Sequence, residues 1–357
     1  MKLNDLRTLG RSGLPVSPLA LGTMTMGNNT YGSPDDVSRA IFDAYIDAGG
    51  NFIDTADVYS SGRSETLLGR FISERHLRDR VVLATKYAFN FDTSGDVDAS
   101  PNPLAGGSSR KNLYRALDGS LKRLGTDYID LYWMHVWDGV TPAEEVVGTM
   151  SDLVRAGKIR YYGFSDVPAW FATRAATLAQ AHGDPAPIAM QMFYSLADRS
   201  VEREHIPAGR ALGMSMIPWS PLAAGLLSGK YTRENAKSTD SRLSGNNPFG
   251  DTLFTEQNWR TVDALREVAE GLGLSMSRVA LAWLLARPGV DSIILGARKL
   301  EQLQDNLAAL EVELSADAVA RLEEATGFDL GLYGLAVPGS AMSKGAIFGG
   351  AQVLGGA

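Results

Sequence analysis

The chain has 357 residues, more than a typical single domain but within the range that α/β barrels reach as one unit, and 45% of them are hydrophobic, enough for a large core. A formal charge of −7 with no long Lys/Arg block excludes the electrostatic footprint of a nucleic-acid binder. With no cysteine, disulfide staples and thiolate chemistry are excluded too, and a reducing compartment fits that composition.

At the N-terminus, RTLGRSGLPVSPLA reads as a short hairpin that would cap a barrel floor. Short apolar runs follow at 19–22, 51–56, 81–86, 128–135, 158–165, 188–195, 215–222 and 292–297, and each reads as a strand. Helical patterns lie between them. Ser33 and Pro34 read as N-cap and N1 of a helix whose apolar face is Val37, Ile41, Ala44, Tyr45 and Ala48, with Gly49 as its stop. Residues 109–124 repeat the pattern with Leu113, Leu117, Leu121 and Leu124 before Gly125. Strand–helix alternation about eight times over predicts an α/β fold, a closed (β/α)8 TIM barrel with an N-terminal β-hairpin and long loops at the carboxyl ends of its strands.

Three stretches break the rhythm. Residues 87–108 and 223–254 leave the carboxyl ends of strands and read as lids. A single domain is expected over 1–328. The Gly/Ala-rich tail, 329–357, has low complexity, and covering the mouth, meeting another subunit and disorder all stay open for it.

Four polar residues stand where apolar runs end: Asp54 and Tyr59 close NFIDTADVY, Lys86 closes VVLATK, and His135 closes YIDLYWMH. Carboxyl ends of barrel strands face one mouth, so these groups are expected to converge. A carbonyl accepts hydride more readily if a proton reaches its oxygen in the same transition state. A phenol with a pKa near 10 needs assistance at neutral pH, and a neighbouring ammonium favours the phenolate. Lys86 fits that role, Asp54 would hold its charge, and His135 would hydrogen-bond the substrate oxygen. Singly, Asp54 also reads as a cap or ion-pair partner, Tyr59 and His135 as core residues, and Lys86 as a solvated end; the combination carries the reading. Asp57 competes with Asp54 by position but is read as pointing elsewhere.

Ser165, Asp166, Gln191 and Trp219 end the fifth, sixth and seventh strands. Ser165 and Gln191 have donors and acceptors suited to a flat carboxamide, and Trp219 offers a face for a flat ring. After the eighth strand, GARKLEQLQDN starts a helix, where barrels commonly bind phosphate, and Arg298 and Lys299 would supply cations.

With these residues assembled, the chain resembles the aldo-keto reductases over roughly residues 6–327, through FIDTADVY, VVLATK, SLKRLGTDYIDLYWMH, GFSD, WSPLAAGLLSGKY and GARKLEQLQDNLAAL in that order. The resemblance implies a barrel that binds NADP(H) in extended form, with no metal. It implies Tyr59 as proton donor with Asp54, Lys86 and His135 completing the tetrad. Ser165, Asp166 and Gln191 fall on carboxamide-binding positions, and Trp219 on the nicotinamide-stacking position. Leu222, Gly225 and Leu227 match the loop passing the pyrophosphate, and Gly296, Arg298, Gln302 and Asn306 match the segment holding the adenosine 2′-phosphate and adenine. Gly22, Thr23, Met24, Ser220, Pro221 and Lys230 complete the expected cofactor contacts.

Three departures from the family pattern stand out. Many members carry Asn at Asp166 and Tyr at Trp219, and the Lys-Ser start after strand eight is absent at Gly296–Ala297, so Arg298 would carry more of the phosphate recognition. NADP is favoured over NAD. The expected activity is an NADPH-dependent carbonyl reductase, reversible toward alcohol oxidation, with a small-molecule carbonyl or alcohol as its partner. Neither nucleic acid nor membrane is expected as a partner, since no stretch of about 18 apolar residues occurs and the N-terminus lacks an apolar signal core. A cytoplasmic location follows as an expectation, and oligomeric state stays open. Two other readings are a cofactor-bound regulatory subunit similar to potassium-channel β subunits, and a barrel isomerase or lyase using Lys86 as a Schiff-base nucleophile. Tyr87, Phe89, Phe91, Phe249 and Phe254, in the two long loops, point to an apolar or ring-bearing substrate.

Overall fold

The computed structural model describes residues 1–28, 32–92, 102–236, 243, 248–331, 345–346 and 349–351. Strands β1 (Arg7–Thr8) and β2 (Pro15–Val16) pair antiparallel as the expected hairpin. Eight parallel strands follow: β3 (Leu19–Gly22), β4 (Phe52–Asp54), β5 (Val82–Tyr87), β6 (Ile129–Met134), β7 (Ile159–Ser165), β8 (Ala189–Phe193), β9 (Ser215–Trp219) and β10 (Ile293–Gly296). They pair in chain order, and β10 returns to β3. An isolated bridge between Met216 and Val290 joins the remaining gap and closes the (β/α)8 barrel.

The outer helices are α1 (Asp35–Asp47), α2 (Arg63–Glu74), α3 (Arg110–Leu124), α4 (Ala143–Arg155), α5 (Ala169–His182) and α6 (His205–Leu212). They continue with α7 (Pro248–Leu253), α8 (Glu256–Leu272), α9 (Met276–Leu285), α10 (Leu300–Leu307) and α11 (Ala316–Ala325). Helix α3 follows its sequence signals: Ser109 accepts from the Asn112 amide, and Gly125 ends it in the left-handed region. Helix α1 starts one residue later than expected, with Pro34 as N-cap. Ser33 does not cap it, because its hydroxyl donates to the Arg298 carbonyl, 3.0 Å away.

Strand periodicity explains what reaches the mouth. One cluster fills the barrel interior with Ala20, Phe52, Val82, Ala84, Leu131, Trp133, Ala189, Ile217 and Ile294, and Leu9 and Val16 of the hairpin join it at the floor. The alternate residues, such as Leu21, Ile53, Leu83, Tyr132, Phe164 and Met216, pack outward against the helices. Two residues beyond the interior set, the inward direction recurs at Asp54, Lys86, His135, Gln191 and Trp219, with Ser165 at the matching end of β7. Trp133 fits only because β7 carries Gly163, where a Cβ would lie 2.5 Å from the indole and 2.5 Å from the Ala189 carbonyl.

The strands are shorter than the apolar runs. The run through 51–56 stops being strand at Asp54, so Tyr59 does not end a strand; it opens a 3-10 turn, Tyr59–Gly62, with Ser60 and Ser61 at φ 50° and 53°. The intervening chain still tracks β5, through Thr55 N to Ala84 O (2.9 Å) and Asp57 N to Lys86 O (3.1 Å). Likewise 215–222 ends as strand at Trp219, where Ser220 turns the chain at φ 54°. The lid expectation for 87–108 and 223–254 falls partly on 93–101, 237–242 and 244–247, outside the described residues. The tail expectation does so for most of 332–357.

Candidate active site

The inward residues of β4 and β5 meet as an ion pair: Lys86 Nζ donates to Asp54 Oδ1, and both side chains are essentially removed from water, at 0% and 2% exposure. The ammonium also donates to the Thr55 carbonyl at 2.8 Å and to the Tyr59 hydroxyl oxygen at 3.4 Å. Gln191 Nε2 donates to the other Asp54 oxygen at 3.0 Å. His135, one residue past β6, stands edge-on to the Tyr59 ring at 5.7 Å. Thus Asp54, Tyr59, Lys86 and His135, far apart in sequence, come together at the carboxyl ends of the strands.

Burial and attraction pull the pair in opposite senses. Burial pushes the Asp54 carboxyl up against the pull of Lys86, whereas for Lys86 the attraction of Asp54 and Tyr59 overcomes burial and raises its pKa. The first tendency favours a neutral acid and the second an ammonium. The hydrogen bonds decide for the ion pair, because the carboxylate accepts twice and the ammonium donates three times. Tyr59 corrects a simple expectation: Lys86 does pull its pKa down, but burial outweighs that pull and the net shift is upward. The phenol therefore stays protonated and available to donate. Burial, with help from Lys86, lowers His135 well below the ordinary imidazole value, so it is neutral, and its buried Nδ1 has no partner.

Across the mouth, Asp166 follows β7 in the left-handed region at φ 46°, and its Oδ1 accepts from Trp219 Nε1 at 3.0 Å. Trp219 meets Phe193 edge-on at 5.0 Å. The Ser165 hydroxyl is buried without a partner, while Gln191 is already engaged by Asp54. Beyond Trp219, positive φ at Ser220, Ala223, Ala224 and Gly225 curls the chain into a tight turn whose amides bond within it, Ala223 to the Ser220 carbonyl, Ala224 to the Ser220 hydroxyl and Gly225 to the Leu222 carbonyl. The Ser220–Leu222 segment leads into the turn Ala223–Ser228, which holds Leu227 buried, and Lys230 lies across Gly225, its Nζ 2.6 Å from where a Cβ would stand.

On the β3–β10 side, Gly22 permits close strand approach, since a Cβ there would meet Ile294 Cγ2 at 2.5 Å. Thr23 hydrogen-bonds the Asp54 carbonyl at 3.1 Å, and Met24 is half-buried beside it. Gly296 and Arg298 are exposed, Gln302 Oε1 accepts from the Arg298 amide at 2.9 Å, and Asn306 is buried.

The aromatic expectation needs correction. Tyr87 faces outward from β5 and stacks on Tyr132 at 5.2 Å, Phe91 lies under Arg123, and Phe254 stacks on Trp259 at 5.6 Å. Parity assigns Tyr87 outward once Lys86 faces in. The Phe249 side chain lies outside the described residues. Of the four whose side chains are described, Phe89 reaches the tetrad, edge-on to His135 at 4.7 Å. Sequence reasoning also missed Glu65, fully buried between Thr85 and Arg123 at 2.6 Å each. Asp57 indeed lies apart from the pair: its carboxyl is buried, has one unpartnered oxygen and is pushed up to about 7 by burial and by Glu65. A groove of about 1150 Å³ runs along the starts of α4, α5 and α6, past Trp137, Trp170 and Arg203, and shares no residue with the tetrad.

The family model for the aldo/keto reductase family matches residues 18–326. The chain belongs to the aldo/keto reductase family. A norsolorinic acid reductase of Emericella nidulans is 35% identical over 325 residues, covering 90% of this chain and 81% of its own. An aryl-alcohol dehydrogenase (NADP(+)) of Phanerodontia chrysosporium is 34% identical over 333 residues, with 89% and 85% covered. A probable voltage-gated potassium channel subunit beta of Oryza sativa subsp. japonica is 36% identical over 325 residues, with 89% and 95% covered. This aldo/keto reductase therefore stands among oxidoreductases, and its barrel carries the site at the strand ends where that fold builds its active sites.

Proposed function

We propose that this chain is an NADPH-dependent reductase of ring-bearing aldehydes or ketones, reversible toward alcohol oxidation. The observation that carries the proposal is a protonated Tyr59 phenol held 3.4 Å from a buried, ion-paired ammonium. The cofactor reading fits features of the mouth. Ser165 and Gln191 stand opposite each other at the ends of β7 and β8, Trp219 presents a flat face, and the Lys230 ammonium, lying across the turn after β9, suits a pyrophosphate. Arg298, exposed at the start of α10, suits a 2′-phosphate. NADPH, when bound, supplies the hydride.

The protein handles the proton. The Tyr59 hydroxyl gives its proton to the carbonyl oxygen, and Lys86 steadies the phenolate left behind. Asp54 keeps the ammonium in place, and Gln191 and Thr55 hold the pair. Neutral His135 offers an imidazole N–H to the same oxygen. Phe89, beside His135, favours a flat apolar substrate, in keeping with the aryl-alcohol name of one relative.

Titration with NADPH and NADH, followed by tryptophan fluorescence, tests the reading. Quenching with NADPH preference, then turnover of aromatic aldehydes or multi-ring ketones, is the expected result. If neither nucleotide binds, the reductase reading fails. The rice relative's name motivates a second reading, a regulatory subunit with slow turnover; NADPH binding with negligible turnover across a carbonyl panel would favour it.

A further inference from the structure

Asp166 occupies a backbone position with few acceptable residues. At φ 46° the chain is left-handed, a region that short polar side chains such as Asn and Asp tolerate and most others avoid. The side chain must also accept a hydrogen bond from Trp219 Nε1, at 3.0 Å. An asparagine oxygen would meet both demands equally well. What the aspartate adds is its charge, and because Trp219 is a neutral donor their hydrogen bond leaves that charge uncancelled.

The charge is felt at the reacting centre. Asp166 raises the pKa of Tyr59, and Lys86 in turn pulls on Asp166. The groups around it offset it only in part: Lys86 pulls on it but is paired with Asp54, His135 is neutral, and Gln191 on β8 has no charge. On α6, His205 Nε2 is engaged with the neighbouring Val167 carbonyl at 2.9 Å.

A nicotinamide ring is neutral when reduced and carries one positive charge when oxidised. We propose that Asp166 is a redox-state selector, its carboxylate making the mouth hold NADP+ more tightly than an asparagine site would, relative to NADPH. The inference rests on the cofactor reading above. The balance in question would set one alcohol and NADP+ against one carbonyl, NADPH and a proton, with the cofactor supplying the hydride exchange and Tyr59 relaying the proton between the substrate oxygen and solvent. A carboxylate near the ring favours the cationic side of that balance.

The preference should follow the titration of the carboxyl. Asp166 is open to the mouth yet flanked by dense walls; burial pushes it up to about 6, with Trp219 and Lys86 pulling it down. The open face lets water limit the rise. The selective form is the carboxylate, so selectivity is complete above that value and fades as pH falls through it. Bound NADP+ favours the carboxylate and moves the fading to lower pH.

Calorimetric dissociation constants for NADP+ and NADPH, measured on wild type and Asp166→Asn at pH 8 and pH 5.5, test this. The ratio of the two constants cancels contacts shared by both redox forms, including any new carboxamide contact from asparagine. At pH 8 the ratio Kd(NADPH)/Kd(NADP+) is expected to fall roughly tenfold in D166N, a typical size for coupled sites. It should also change less with pH in D166N than in wild type. An unchanged ratio, with both nucleotides binding, overturns the selector while leaving the reductase reading intact. Failure of wild type to bind either nucleotide overturns both.

Discussion

The two walls of the mouth are built differently. On the β4–β6 side, Asp54 and Lys86 project from regular strands and lock onto each other, His135 follows β6 and stands edge-on to Tyr59, and all three are almost wholly buried. On the β9–β10 side, Trp219, Lys230 and Arg298 are at least partly exposed, and the chain between them turns through left-handed conformations. The first wall is fixed before any ligand arrives. The second presents long cationic side chains on an open face. The contrast fits the division of labour proposed above, in which proton transfer would need a rigid, dry cluster and nucleotide capture an accessible one.

Substitutions can break the contrast. The largest effect is expected from Lys86→Met, which leaves Asp54 buried without its counter-charge: loss of about 3–5 kcal/mol of stability along with the activity. The double variant Asp54→Asn/Lys86→Met should regain much of the melting temperature but none of the turnover. A single variant as stable as wild type would show that the first wall is not held by the pair. Next, Tyr59→Phe should cut reduction by roughly 10²–10⁴-fold while NADPH binding stays within about twofold, read by single-turnover kinetics and calorimetry. Full activity in that variant would remove Tyr59 from its role. The smallest effect belongs to the open wall: Arg298→Ala should weaken NADPH by roughly tenfold and NADH little, with the melting temperature unchanged. Equal losses for both nucleotides would refute a phosphate role.

Strand-end polarity made much of the first wall legible in the sequence. Asp54, Lys86 and His135 each interrupt an apolar run, and period-2 alternation places them inward with Phe52, Ala84 and Trp133. Tyr59 was legible as a member but not in its position, because the hydrophobicity of NFIDTADVY continues past the last ladder bond of β4 into a turn. Phe254 and Tyr87 look like lid aromatics in a Gly-rich context, yet outward packing of β5 and the α8 contact claim them for the core. The hydrogen bond between Asp166 and Trp219 joins residues 53 positions apart across β7 and β9, a relation that no local pattern announces.

The hairpin at the floor has a kinetic consequence. Leu9 and Val16 seal the end of the barrel opposite the tetrad, and Trp133 and Phe52 fill the space above them. The barrel is thus a cup with one rim, and two reactants that meet inside it must queue at the same door. Under the proposed reaction, the reactant that lies deeper would have to arrive first and depart last, and its escape would set a ceiling on turnover whatever the speed of the chemistry.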